Sequence, residues 1–282
     1  VYINLDGFMN NLSKNKITKI FSNYEKDGYA KLGKIVSNNA LENLKKRTID
    51  LMLGRKVYKG MFFQLDSEDG KYANINTKDE SYQGPSFRYR KIKDLEYDDL
   101  FLRLIKSKLI NKFSKKYIGR DVSCMRAMIL NKPSMGSSEL DYHQDVSRDW
   151  NMSGKPTFTF WMSINGANKK NGCLKVIKSS HKYGTLDKGH FIKTNKNYFK
   201  KHKILNVELK PGEAIIFNNQ LFHGSGKNYT KKMRLAFTAC LMDANIFHMK
   251  YKKRYPKIFG KNSLTLKKIK NFHRIPKKVY EK

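Results

Sequence analysis

The chain holds only three cysteines, Cys124, Cys173 and Cys240, widely spaced and without a CxxC pair. That excludes a disulfide framework and a structural zinc site, and it points to a reducing, cytoplasmic compartment. No run approaches the ~18 apolar residues that cross a bilayer, so no membrane span is expected. A basic-then-apolar leader is also missing, although the chain opens at Val1, as it would after loss of an upstream piece. No internal repeat is evident, which removes solenoids and propellers. Arginine is scarce beside lysine, whereas sites that read phosphates or bases generally recruit Arg forks.

Positive charge is what the chain has in excess, with 58 Lys+Arg against 24 Asp+Glu and a net +34 over 282 residues. Such a balance attracts nucleic acid, anionic membranes or acidic metabolites. The lysines run in short doublets from Lys14 to Lys282, the pattern of a solvated surface, and 250–282 is the densest stretch. A small-molecule substrate is therefore the expected partner. Nucleic acid is not expected, though the basic surface leaves that route open, and the oligomeric state is not legible. Aromatic content of 12% argues for a folded globule.

The pattern changes along the chain. Apolar spacing predicts a helix over Lys16–Gly28, a short strand over Gly28–Leu32, and a second helix capped by Ser37 and ended near Gly54. Gly60–Leu65 reads as a strand, Asp66–Pro85 as a loop, and Asp98–Tyr117 as one amphipathic helix. From Asp121 short apolar runs alternate with turn residues, predicting strands near 122–130, 138–145, 156–164, 173–177, 204–209, 213–217, 221–223 and 232–242. The fold expected is mainly β with flanking helices, around a double-stranded β-helix (jelly roll, cupin-like) core. Residues 1–282 read as a single catalytic domain: a helical layer with outer strands over 1–120, the jelly-roll core over 121–247, and a basic tail over 248–282.

Within that core, Tyr142-His143-Gln144-Asp145 and the distant Leu221-Phe222-His223-Gly224 carry the chemistry. Residues i and i+2 of a strand share a face, so His143 and Asp145 point into one cavity. Two imidazoles and one carboxylate occupy one face of Fe(II) and leave the others for a cosubstrate and O₂. An HxD tripeptide is common by itself. It gains weight here from His223 and from Arg234, an arginine inside the apolar run Leu235-Ala236-Phe237 that needs a partner to justify burial. The other five histidines, His181, His190, His202, His248 and His273, lack such a setting.

The same segments resemble the phytanoyl-CoA dioxygenase family of Fe(II)/2-oxoglutarate oxygenases. The similarity covers about Lys91 to Met242. It includes Met128-Ile129-Leu130-Asn131-Lys132-Pro133, Tyr142–Asp145, Phe160-Trp161, Asn171-Gly172-Cys173-Leu174, Pro211-Gly212-Glu213 and Leu221–Asn228. Lys178-Ser179-Ser180-His181 departs from the family's Pro-Gly-Ser-His, which makes His181 structural. The resemblance implies iron ligands at His143, Asp145 and His223. It implies that Arg234 pairs with the distal carboxylate of 2-oxoglutarate, that Ser225 and Lys91 help hold it, and that Trp161 and Met128 line its pocket.

The implied cofactors are Fe(II), 2-oxoglutarate and O₂, and the implied reaction hydroxylates an unactivated C–H bond of a small metabolite with release of succinate and CO₂; Arg126, alternating with Met128 and Cys124, would favour an anionic one if it faces the cavity. A halide could replace Asp145 only if Gly or Ala stood there, so halogenation is disfavoured. Gln64, Asp66, Arg126, Gln144 and Trp150 are the candidate substrate contacts, and the loop 184–197 is a candidate lid. Two other readings stay open: oxidation of a nucleic acid or protein side chain, and a basic nucleic-acid-binding protein on a degenerate oxygenase scaffold. A cupin with another metal and no 2-oxoglutarate is set back by Arg234 and Ser225.

Overall fold

Serines open the first helices. Ser13 and Ser37 hold extended backbone and accept from the amides of Lys16 and Ala40, starting α1 (Lys14–Asp27) and α2 (Asn38–Met52). The computed structural model describes residues 12–58, 60–77, 80–147, 150–185 and 202–270. Gly28 ends α1 in left-handed backbone, where a Cβ would press on His181 and Leu221, so only glycine fits. The stretch 98–117, expected as one helix, divides into α3 (Asp99–Ile105) and α4 (Lys108–Tyr117). Ser107 lies between them in extended backbone and takes the Ile110 amide as a new cap, which competes with helix continuation.

The strands are β1 (Tyr29–Lys34), β2 (Phe63–Leu65), β3 (Tyr89–Ile92), β4 (Val122–Lys132), β5 (Leu140–His143), β6 (Phe158–Ser163), β7 (Leu174–Ile177), β8 (Ile204–Val207), β9 (Glu213–Asn218), β10 (His223–Ser225) and β11 (Arg234–Asp243). They are followed by β12 (Phe247–His248), β13 (Lys253–Arg254), β14 (Lys257–Phe259) and the short helix α5 (Leu266–Lys270). One sheet runs β1-β9-β6-β11-β4-β3-β2, with β14 also on β4, and a smaller one runs β5-β10-β7-β8. Every pairing within these two sheets is antiparallel. This is the jelly roll that the sequence led us to expect.

Alternation on β11 shows how the layers form. Leu235, Phe237, Ala239 and Leu241 face outward into the larger apolar core under the helices, where Phe237 stacks on Phe101 of α3 with centroids 4.9 Å apart. Ala236 faces inward to the smaller core shared with Trp161, Leu174 and Val176. Each large side chain buried this way contributes about 1.5–3 kcal/mol. The inner face also carries the polar and charged residues of the site.

The segment expected to be a basic tail from 248 is part of the fold as far as Lys270. β14 pairs with the start of β4, and Ile258 and Ile269 are buried. Lys106 holds this segment from beneath, its Nζ donating to the carbonyls of Ile258 at 2.6 Å and Leu264 at 2.8 Å. Residues 271–282, and nearly all of the candidate lid loop 184–197, lie outside the described residues.

Candidate active site

Strand register assembles the site. Across the inner face of the large sheet, Arg126, Met128 and Leu130 of β4 stand opposite Cys240, Thr238 and Ala236 of β11. Thr238 and Cys240 in turn stand opposite Trp161 and Thr159 of β6. Lys91 of β3 pairs with Leu130, and Lys93 lies just beyond the end of that strand. The smaller sheet covers this face with His143 and His223, directly paired between β5 and β10. A cavity of about 130 Å³ lies between the two sheets.

His143, Asp145 and His223 are all buried, and one ligand atom from each falls within 4.8 Å of the others. It is the one such group of three found among the described residues. The Nδ1 of His143 lies 2.8 Å from the Asp141 carbonyl, and that of His223 lies 2.9 Å from the Leu221 carbonyl. A carbonyl can only accept, so each Nδ1 carries the proton and each Nε2 presents a lone pair. Those Nε2 atoms lie 3.9 and 3.8 Å from the carboxylate oxygens of Asp145. Burial pushes the His223 imidazole toward its neutral, ligating form. Arg126 pairs with the same carboxylate, and its guanidinium stacks 5.2 Å from the centre of the Trp150 ring.

The opposite end of the cavity is cationic. Arg234 is 4% exposed; it donates to the Leu130 carbonyl at 3.1 Å and stands 5.6 Å from the centre of the Trp161 ring. Its Nε has no hydrogen-bond partner, and no carboxylate among the described residues lies within 4 Å. Burial draws the guanidinium down to about 10. A second buried cation, Lys132, lies behind this end outside the cavity lining and is held by the Ser138 carbonyl at 2.6 Å. Burial and then the charge of Arg234 keep that ammonium well below its usual range. Lys91 is depressed as well, by burial first and then by Arg90, Lys93 and Arg126. Buried charge without a counter-ion costs several kcal/mol, and an anion in the cavity beside Arg234 and Lys91 would offset it.

The residues singled out in the sequence therefore separate. Met128, Trp161, Ser225, Arg234, Lys91 and Arg126 line the cavity with the three metal-ligand candidates. Trp150 reaches it through Arg126. Gln64 is turned to Arg90, Gln144 donates to the carbonyls of Gly184 and Gln220, and Asp66 accepts from the amides of Ser67 and Ser138. None of these three is among the residues lining the cavity. Sequence reasoning missed Lys93, Thr159, Thr238 and Asn219. The register of β6 on β11 brings in Thr159 and Thr238, the turn before β10 brings in Asn219, and the pairing of β3 with β4 brings in Lys93.

The donor set suits a hard-to-borderline divalent metal with open positions, and iron fits it: two neutral imidazoles, one carboxylate, and an unpaired cation across the cavity for a small acid. Fold and site thus define a jelly-roll protein with a facial metal-ligand set. The family model for phytanoyl-CoA dioxygenase (PhyH) matches residues 24–236, and the chain belongs to that family. A peroxisomal phytanoyl-CoA dioxygenase from Bos taurus is 25% identical over 171 residues, covering 56% of this chain and 51% of the relative. The chain thus spans about half the length of that relative. A probable phytanoyl-CoA dioxygenase from Caenorhabditis elegans is 26% identical over 235 residues, covering 76% and 72%. Among solved structures, the epimerase SnoN in complex with Fe3+, alpha ketoglutarate and nogalamycin RO superposes with a TM-score of 0.65. It shares 15% identity over 84% of this chain and 87% of that one, a likeness of fold.

Proposed function

We propose that the chain is an Fe(II)- and 2-oxoglutarate-dependent dioxygenase that hydroxylates an unactivated C–H bond of a small anionic metabolite. Substrate, 2-oxoglutarate and O₂ are converted to the alcohol, succinate and CO₂. The carrying observation is that the His143–Asp145–His223 cluster and the unpaired, buried Arg234 share one cavity. His143, Asp145 and His223 would hold the metal. Arg234, with Ser225 and Lys91, would hold the far carboxylate of 2-oxoglutarate, and Trp161 and Met128 would wall it off from water. Bound iron supplies the oxidising power for C–H cleavage.

Charge placement supports an anionic substrate. Arg234 stands opposite Lys132, whereas Arg126 stands opposite Cys240, six residues further along β11. The two backbone levels are roughly 20 Å apart at ~3.3 Å per residue. Arg234 leans back over Trp161, so a short diacid reaching from the metal to Arg234 leaves Lys93 and the outer face of Arg126 for another ligand. An oxyanion, carboxylate or phosphate, answers that surplus. We also read the chain as one catalytic domain. Three free, buried cysteines fit a cytoplasmic setting, and no helix among the described residues is long and apolar enough to cross a membrane.

The +34 charge favours a second reading, oxidation of a macromolecule, while the intact ligand cluster sets back a degenerate binding scaffold. A succinate-release screen over small carboxylates, phosphate monoesters, their neutral analogues and short RNA and DNA separates these. Stimulation by small anions is expected. Stimulation by neutral analogues alone overturns the anion assignment, and stimulation by nucleic acid alone moves the reading to a macromolecular substrate.

A further inference from the structure

Asp145 is held from behind by residues outside every motif. Thr159 Oγ1 lies 3.1 Å from Asp145 Oδ2 and 2.7 Å from one end of the Asn219 side-chain amide. The other end of that amide lies 3.1 Å from Cys240 Sγ. All four side chains are at least nine-tenths buried. The backbone locks them further: the Asp145 amide donates to the Asn219 carbonyl at 2.8 Å.

Counting hydrogens settles the direction of these bonds. The Thr159 hydroxyl has a single proton, and an ionised carboxylate can only accept. As placed, the amide oxygen of Asn219 faces Thr159 and its N–H faces Cys240 Sγ, so two acceptors compete for the Thr159 proton and one contact is repulsive. With the amide turned the other way, its N–H donates to Thr159 Oγ1, Thr159 O–H donates to Asp145, and the amide oxygen takes the Cys240 S–H. The hydroxyl proton, the thiol proton and one amide proton then each have an oxygen acceptor, a better one for the thiol than Met125 Sδ at 4.0 Å. Burial pushes the Cys240 thiol up to about 11, so its proton is present at neutral pH.

We infer that Cys240, Asn219 and Thr159 form a one-way donor chain that ends on Asp145 and positions its carboxylate toward the two Nε2 atoms. Arg126 engages Oδ1 and Thr159 engages Oδ2, so the carboxylate is fixed at both oxygens before any metal arrives. The chain is read without reference to a metal; its consequence rests on the proposed iron site. Outer groups that orient a metal ligand typically change metal affinity roughly 10- to 100-fold.

Two measurements on the intact protein test this. The infrared S–H stretch of Cys240, assigned as the band lost in Cys240→Ala, should show a hydrogen-bonded donor and shift to a free thiol in Asn219→Leu. A free-thiol band in the wild type overturns the chain. Anaerobic titration with Co(II) alone should then show roughly 10- to 100-fold weaker binding in Thr159→Val and recovery in Thr159→Ser, with unchanged near-ultraviolet dichroism. Wild-type affinity in a folded Thr159→Val overturns the positioning role. Should Asp145→Asn also bind Co(II) normally, the metal-site reading itself fails, while the thiol band still decides the donor chain.

Discussion

His143 and His223 are cross-strand partners of β5 and β10, with ring centroids 4.2 Å apart. Each ring is oriented by the carbonyl two residues before it, so backbone geometry sets both tautomers. The proposed metal-binding face is therefore a product of register: a one-residue slip of β10 would turn His223 to the far side.

Removing the carboxylate should be the most damaging single change at this face. Asp145→Ala takes away the charge that offsets the metal and leaves Arg126 buried and unpaired. We expect substrate-coupled succinate formation to be abolished. Full activity in this variant would remove Asp145 from the ligand set.

Arg234→Met should cost roughly 10- to 100-fold in 2-oxoglutarate affinity, the worth of a charge-assisted pair. Arg234→Lys should recover part of it, since the charge returns without the planar fork. Isothermal titration of the Fe(II) or Co(II) forms checks both. Loss of a buried, partly unpaired cation should leave the ligand-free Met variant at least as stable as the wild type.

Glu96 should make stability fall with rising pH. Burial, then the charge of Asp94, raises its carboxyl from 4.5 to about 8. The folded protein thus holds a proton that the unfolded chain has released, so the stability Glu96 contributes is complete below the unfolded value and is lost as pH rises through the folded one. Urea unfolding at about pH 5 and about pH 9 should show Glu96→Gln losing less stability than the wild type, by on the order of a few kcal/mol. Equal slopes in the two proteins would contradict this.

Lys106→Met should loosen the C-terminal segment. Its Nζ satisfies two backbone carbonyls there, and leaving them unpaired costs about 1–3 kcal/mol each. Limited proteolysis should cut the variant within 250–270 sooner than the wild type, together with a lower melting temperature.

Much of this was legible in the sequence because the signals were local. Ser37, the alternation from Val122 onward, and the HxD pair each act within a few residues. The break at Ser107 was hidden because its flanks, Ile105 and Leu109, keep helical i, i+4 spacing across it. β3 was missed because Tyr89-Arg90-Lys91-Ile92 is charged on the cavity face and too short to show a period. β14 was hidden among lysines and became a strand only through its partner β4. Gln64 and Gln144 fit the expected mouth by position, but their amides have backbone or Arg90 partners that no spacing discloses. Thr159 and Asn219 meet only through long-range pairing.

The central claim, one cavity that binds iron and 2-oxoglutarate together, is tested most directly by anaerobic titration of the purified protein with Fe(II) and then 2-oxoglutarate. We expect a saturable metal-to-ligand charge-transfer band in the visible, weakened in Arg234→Ala. Iron binding without that band would contradict the 2-oxoglutarate assignment. No iron binding at all would contradict the site and return the question to the basic surface.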